Sequence, residues 1–337
     1  MTGFSELNPD QQAARLRDAG KAALRQWAIV DAELELIKNR ENAVFRVRHH
    51  GQLSALRIHR RGYHIDSELR SELQWMRALA SSGIQVPIAI PTVSGELFVS
   101  YDAPELPGPV QMDLFEWISG EQLGSVEQGV ADAAAVAGVY RTIGELAARV
   151  HNQSSAWTVP AGFVRHSWDA EGLAGDKPFW GRFWELQAAS RSQRDLLTRG
   201  RDRVYRDLAR LDKSPETYSM IHADFCPENL LVEGDRVRLI DFDDAGFGWH
   251  MFELATALYF LIGGPTYVEA RNALIEGYRA HRKLPDELLR DLELFLLARG
   301  FTYVGWVHTR PETETARELT PMLLDSACAL AEDYLSA

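Results

Sequence analysis

Residues 221–229 read Ile221-His222-Ala223-Asp224-Phe225-Cys226-Pro227-Glu228-Asn229, and shortly afterwards the chain continues Leu239-Ile240-Asp241-Phe242-Asp243. The pattern is H-x-D-x-x-x-x-N, then a strand, then I-D-x-D. Within LLVEGDRVRLIDFDD, two short apolar runs flank the turn Glu233-Gly234-Asp235, so the connection reads as a β-hairpin. This spacing suits phosphoryl transfer, which needs a carboxylate to orient the acceptor and oxygen ligands for a magnesium ion on the nucleotide phosphates. Asp224 would orient a substrate hydroxyl. Asn229 and Asp241 would converge on the metal.

A strand and a loop carrying that chemistry need a partner region to hold a nucleotide, and the chain upstream is suited to it. Asn8-Pro9 opens a capped helix over QQAARLRDAGKAALRQW, because Asn caps free amides and Pro fits the first turn. The segments ELELIKN, NAVFRVRHH and LSALRIHR follow, rich in alternating or β-branched residues and separated by polar turns, and predict an antiparallel meander. In IDSELRSELQWMRALASSG, Leu69, Leu73, Met76 and Leu79 recur at helical spacing, and Gly83 suits a left-handed position after the helix end. Strand signals return in GELFVSY and VQMDLFEW, with the Pro-rich stretch from Ala103 to Pro109 as a loop between them.

Beyond Gly120 the pattern becomes mainly helical, with VAGVYRTIGELAARVH as one amphipathic segment and three apolar helical patterns between Met251 and Leu335. This shift predicts two domains, a β-rich one over 1–118 and a helical one over 119–337. The 337 residues are enough for two lobes with a cleft between them.

Composition narrows the class. With 36 basic and 48 acidic residues the net charge is −12, which argues against a protein that neutralises nucleic-acid phosphates and fits a cationic small partner. The start MTGFSELNPD has no basic stretch leading into an apolar one, and no apolar run approaches the ~20 residues of a membrane span, so the expected location is cytoplasmic. Cys226 and Cys328 are the two cysteines, too few for a disulfide framework or a zinc ribbon.

The stretch from Ile221 to Asp243 closely resembles the catalytic and metal-binding motifs of aminoglycoside phosphotransferase-like kinases, a family that includes aminoglycoside, choline and type II homoserine kinases. The resemblance implies an α+β, two-lobed protein-kinase-like fold, with a small antiparallel sheet in the N-lobe and a larger, mainly helical C-lobe. It implies transfer of the γ-phosphoryl group of ATP, with Mg2+, to a hydroxyl of a small metabolite or aminoglycoside-like acceptor. His222 would brace the loop. Ala223 stands where many members carry Gly, and no Arg precedes Asp224 as it does in eukaryotic protein kinases.

The likeness extends upstream. Ser54-Ala55-Leu56-Arg57-Ile58 is similar to the family strand that carries a phosphate-contacting Lys, which places Arg57 at the Lys position and Glu72 as its ion-pair partner. Arg keeps the charge, but its planar fork is not equivalent to an ammonium. Asn42 resembles part of a loop over the phosphates; by its residues alone, Asn39-Arg40-Glu41-Asn42 is a plain hairpin turn. Leu114-Phe115-Glu116-Trp117-Ile118-Ser119-Gly120 resembles the interlobe hinge, where backbone groups of Glu116 and Ile118 would pair with adenine and Val47, Ala55 and Ile240 would line the base. Glu253 either braces the catalytic loop or attracts a substrate amine, and Trp180 and Trp184 either enclose the acceptor or fill a helical core.

Three other readings stay open at this level: a bacterial stress-response-type Ser/Thr protein kinase of the same fold, a nucleotide-binding regulatory module with little catalysis, and a haloacid-dehalogenase-like phosphatase using Asp241 as nucleophile. The last leaves His222, Asp224 and Asn229 unused.

Overall fold

The computed structural model describes residues 4, 7–39, 42–104, 106–124, 135–234 and 236–337. Arg40 and Glu41 of the first expected turn, Glu105 of the Pro-rich loop and Asp235 of the second turn lie outside them. The chain divides into two compact units, one of residues 1–120, 159–164 and 233–240 and the other of 121–158, 165–232 and 241–337.

In the first unit, α1 (Pro9–Ala23) starts at Asn8, whose side chain accepts from the Gln11 amide 2.9 Å away while Gln11 reaches back to the Asn8 amide, a reciprocal capping box. The strands β1 (Glu33–Asn39), β2 (Ala43–His49) and β3 (Gln52–Ile58) follow, then α2 (Asp66–Ser81), β4 (Phe98–Tyr101) and β5 (Val110–Glu116). They form one antiparallel sheet in the order β1-β2-β3-β5-β4. Alternation sets its two faces. Ala43, Phe45 and Val47 of β2 and Leu56 and Ile58 of β3 point into a core with Ala19, Leu24 and Trp27. Gly20 on α1 lets the helix lie close, since a Cβ there would come within 2.8 Å of Leu56 Cδ2.

On the opposite face of β3, Arg57 stands directly across from Asp113 of β5 in the sheet register. Buried Leu69, Leu73, Met76 and Leu79 of α2 confirm the expected apolar stripe, and Gly83 takes φ +86° after the helix, where a side chain would be strained.

The second unit opens with β6 (Glu121–Gln122), α3 (Val136–Ala156), β7 (Ser167–Trp168), α4 (Ala170–Ala174) and α5 (Arg191–Leu208). It continues through β8 (Tyr218–Ile221) and β9 (Leu230–Glu233); β10 (Arg236–Leu239) is counted with the first unit, and β11 (Gly246–Trp249) returns to the second. The helices α6 (His250–Leu258), α7 (Tyr267–His281), α8 (Asp286–Leu289), α9 (Leu292–Thr309) and α10 (Glu314–Ser336) complete it. The expected three helical patterns after Met251 are therefore five helices, because Gly263, Gly264 and Pro285 break what composition alone merges.

Two close approaches fix this unit. A Cβ on Gly144 of α3 would sit 2.1 Å from Leu274 O, and one on Gly277 of α7 would sit 2.1 Å from Arg141 O, so each helix admits the other's backbone at a glycine. β11 pairs parallel with β7 and antiparallel with β8, Gly246 facing Ile221. That pairing brings the loop after β8 beside the loop before β11. No helix among the described residues is long and apolar enough to cross a membrane.

Candidate active site

The loop that leaves β8 carries Asp224 and Asn229. The Asn229 Nδ2 donates to Asp224 Oδ2 at 2.7 Å and to the Asp224 carbonyl at 2.9 Å, so the five-residue spacing closes on itself. Both bonds use the amide nitrogen and leave the carbonyl oxygen of Asn229, a donor of the type magnesium takes. Asp241 is exposed and adopts φ +67°, a left-handed conformation held by a non-glycine residue.

Ala223 shares that rare geometry at φ +64°. Glycine would relieve it. Here the strain is held from both sides: the Ala223 amide donates to Glu253 Oε2 at 2.6 Å, the His222 amide donates to Glu253 Oε1 at 3.0 Å, and the Ala223 carbonyl accepts from Arg299 NH1 at 3.1 Å. Glu253, fully buried on α6, thus braces the loop after β8. Burial raises its pKa to about 6, against the lowering pull of His222 and the two backbone amides.

His151, in the C-terminal half of α3, lies behind it: Nε2 is 3.4 Å from Glu253 Oε1 and Nδ1 is 2.8 Å from Tyr278 Oη. It stacks on His250, and burial depresses the pKa of both rings well below the usual range, so both are neutral. Burial pushes the Cys226 thiol up, which makes it an apolar filler of the loop.

Asp224 Oδ1 accepts from Arg299 NH2 at 2.9 Å. The carboxylate keeps 24% of its side-chain surface accessible while Arg299 has 0%. Reading the sequence missed Arg299, although an arginine in the apolar run LELFLLARGFTYVGW is itself a signal, because a charge buried in such a helix needs a partner. Arg165 was missed as well; it is buried and donates to the carbonyls of Asp243 at 2.6 Å and Ala245 at 2.5 Å, shaping the loop after Asp241.

The aromatic segment separates into two roles. Trp180 is buried, covers the Arg299 guanidinium at 4.9 Å and donates to Asp244 Oδ1 at 3.3 Å. Trp184 instead lies against Arg201, 4.8 Å from its ring. The chain there is a turn and a single 3-10 turn, Phe183–Glu185, not the helix that would bury both rings alike.

In the first unit, Arg57 is gripped by two carboxylates. Its Nε and NH2 donate to the two oxygens of Asp113 at 3.0 and 2.7 Å, and NH2 also donates to Glu72 Oε1 at 2.7 Å. His59 Nε2 lies 3.0 Å from Asp113 Oδ2. Burial alone would raise the Asp113 pKa, but Arg57 and then His59 outweigh it and hold the carboxyl well below its usual range. The Arg57–Glu72 pair matches expectation; Asp113 and His59 do not figure in it. Asn42 Oδ1 accepts from the Arg60 amide at 3.0 Å, so its side chain ties β2 to the end of β3. Glu116 ends β5 with its amide donated to Ile88 O at 2.9 Å, and Ile118 lies just past the strand. Val47 is core, while Ala55 and Ile240 are half-buried.

A five-stranded antiparallel sheet with one helix pairing a buried arginine, joined to a helical unit with an Asp–Asn loop, defines a phosphotransferase of the protein-kinase-like fold. Residues 33–288 match the phosphotransferase enzyme family, and the chain belongs to it. It is similar to amicoumacin kinase of Bacillus subtilis, 21% identical over 88% of this chain and 86% of that protein. Among solved structures, a microcompartment-associated aminopropanol kinase superposes with a TM-score of 0.83 at 32% identity, covering 95% of this chain and 98% of that one. An amicoumacin kinase in complex with AMP-PNP, Ca2+ and amicoumacin superposes with a TM-score of 0.75 at 18% identity, over 96% of both chains. The chain is accordingly an ATP-dependent kinase with an alcohol group of a small molecule as acceptor.

Proposed function

We propose that the acceptor is a small amine-bearing alcohol and that Asp224 orients its hydroxyl for in-line attack on the γ-phosphorus of MgATP. The observation that carries this reading is the state of Asp224: partly exposed, yet with one oxygen fixed by Arg299 and the other by Asn229. A carboxylate offers about four lone-pair sites; Arg299, Asn229 and the Cys226 thiol, 4.0 Å from Oδ2, take three, which leaves one to receive a hydroxyl hydrogen bond. The acceptor oxygen forms a bond to γ-phosphorus, the bond from γ-phosphorus to the β,γ-bridging oxygen breaks, ADP departs, and the hydroxyl proton passes to Asp224. Because such transition states are loose, catalysis rests on positioning and charge.

Asn229 and Asp241 offer the hard oxygen ligands for the divalent cation, which we assign as Mg2+. When bound, the ion neutralises charge on the transferring phosphate oxygens. Arg57, held by Glu72 and Asp113, steadies phosphate charge from the first unit, and main-chain groups at Glu116 and Ile118 take the adenine edge. Asn42, its side-chain oxygen tied to the Arg60 amide, would act at the phosphate end of the nucleotide. The need for ATP supports a cytoplasmic location.

An amine on the acceptor is supported by the net charge of −12, by Asp244 beside Trp180, and by the 32% identity to an aminopropanol kinase. ATP consumption across amino alcohols, sugars, aminoglycosides and hydroxylated amino acids tests it. Turnover confined to amine-bearing alcohols is expected, and sugars outperforming them would sink the substrate class. Asp224→Ala is expected to abolish transfer while retaining MgATP binding; normal turnover by that variant would refute the mechanism.

A further inference from the structure

Resting on Asp224 as the hydroxyl-orienting residue, we propose that Arg299 is the positioning residue that sets the direction in which Asp224 meets the acceptor. Arg299 lies in the middle of α9, fully buried, where an uncompensated charge would cost several kcal/mol. Among the described residues its ion-pair partner is Asp224. Its fork grips two consecutive residues: NH1 takes the carbonyl of left-handed Ala223 and NH2 takes the carboxylate of Asp224. One guanidinium therefore fixes both the strained backbone and the rotamer that follows it, which a point-like ammonium does not do.

The fork itself is held against rotation. Tyr303, one turn further along α9, accepts a second bond from NH2 at 2.8 Å and packs its ring 4.2 Å from the guanidinium, and Trp180 covers it at 4.9 Å. With Oδ1 committed to Arg299, and Oδ2 to Asn229 and the Cys226 thiol, the lone pair left on Asp224 serves the side that stays accessible. Misplacement of a reacting group by about 1 Å costs on the order of 100-fold in rate, so such a clamp acts on kcat and leaves nucleotide affinity alone.

The test compares Arg299→Met, Arg299→Lys, Asp224→Asn and the Arg299→Met/Asp224→Asn double variant. Turnover is measured with MgATP and 1-amino-2-propanol, and in parallel as acceptor-free MgATP hydrolysis. Arg299→Met is expected to lower kcat about 100-fold with KM for MgATP unchanged, Arg299→Lys to restore part of it, and the double variant to fall no further than Asp224→Asn alone.

A crystal structure of Arg299→Met is expected to show the Asp224 carboxylate rotated out of its present direction. Multiplying losses in the double variant, or an Asp224 carboxylate and a left-handed Ala223 unchanged in that crystal structure, would overturn the proposal. If Arg299→Met does not fold, Tyr303→Phe decides the matter: lower kcat at constant KM supports the clamp, and unchanged kcat overturns it. Wild-type turnover in Asp224→Asn would remove the role of Asp224 itself, and this inference with it.

Discussion

Replacing Arg57 with Met takes the guanidinium away from Asp113 and Glu72, both with side chains 0% exposed, and leaves His59 Nε2, 3.0 Å from Asp113 Oδ2, as the remaining neighbour of that carboxylate. Two buried carboxylates stripped of that guanidinium lose the charge that compensates them. Removing one partner of a buried ion pair costs about 3–5 kcal/mol, and about 4 kcal/mol is expected here. Asp113→Ala is milder, because Glu72 remains for Arg57, and the loss of two charge-assisted bonds gives about 3 kcal/mol. Replacing the whole cluster, Arg57→Met with Glu72→Leu and Asp113→Leu, should return to within about 2 kcal/mol of wild type, since buried ion clusters are often matched by apolar groups of similar volume. Equilibrium urea unfolding at pH 7 reads all three. The reasoning is refuted if Arg57→Met costs less than about 1 kcal/mol, or if the triple variant is the least stable. The triple variant also separates structure from nucleotide contact: folded protein with weakened MgATP binding assigns the phosphate role to Arg57 itself.

Gly144→Ala forces a Cβ to 2.1 Å from a helix carbonyl and should cost about 3 kcal/mol, whereas Gly138→Ala on the same helix meets open space and should stabilise by about 0.5–1 kcal/mol; thermal unfolding compares them. Glu253 binds its proton more tightly folded, with a pKa raised from 4.5 to about 6, so its contribution is greatest below pH 4.5 and declines through the window up to 6. The stability of wild type minus that of Glu253→Gln should therefore fall by about 2 kcal/mol from pH 4.5 to 7, and a flat difference would contradict the shift. Trp184→Ala should leave acceptor kcat/KM within about twofold, as its ring faces Arg201, whereas Trp180→Ala should lower it about tenfold or more by uncovering Arg299; equal effects would undo that separation.

The loop after β8 was legible because its information is local. His222, Asp224 and Asn229 lie within eight residues, and the five-residue spacing by itself allows the Asn229 amide to close on Asp224. The strands of the first unit were legible for the same reason: period-two alternation in ELELIKN, AVFRVRH and QLSALRI is a property of neighbours in the chain. The division of the helices after Met251 was less so, since apolar periodicity continues across breaks that glycine and proline impose.

Partners far apart in sequence were not legible. Asp113 meets Arg57 across 56 positions because β3 and β5 pair in one register, and a slip of one residue would turn the carboxylate to the other face. Arg299 meets Asp224 across 75 positions because α9 packs behind the loop. Trp180 and Trp184, four residues apart, face different arginines because the chain between them turns instead of continuing as a helix. The sequence alone thus singled out Asp224, Asn229 and Asp241 as candidates, through spacing and residue type. Only the tertiary structure decided what holds them, because register and helix packing are set by long-range burial that no short window contains.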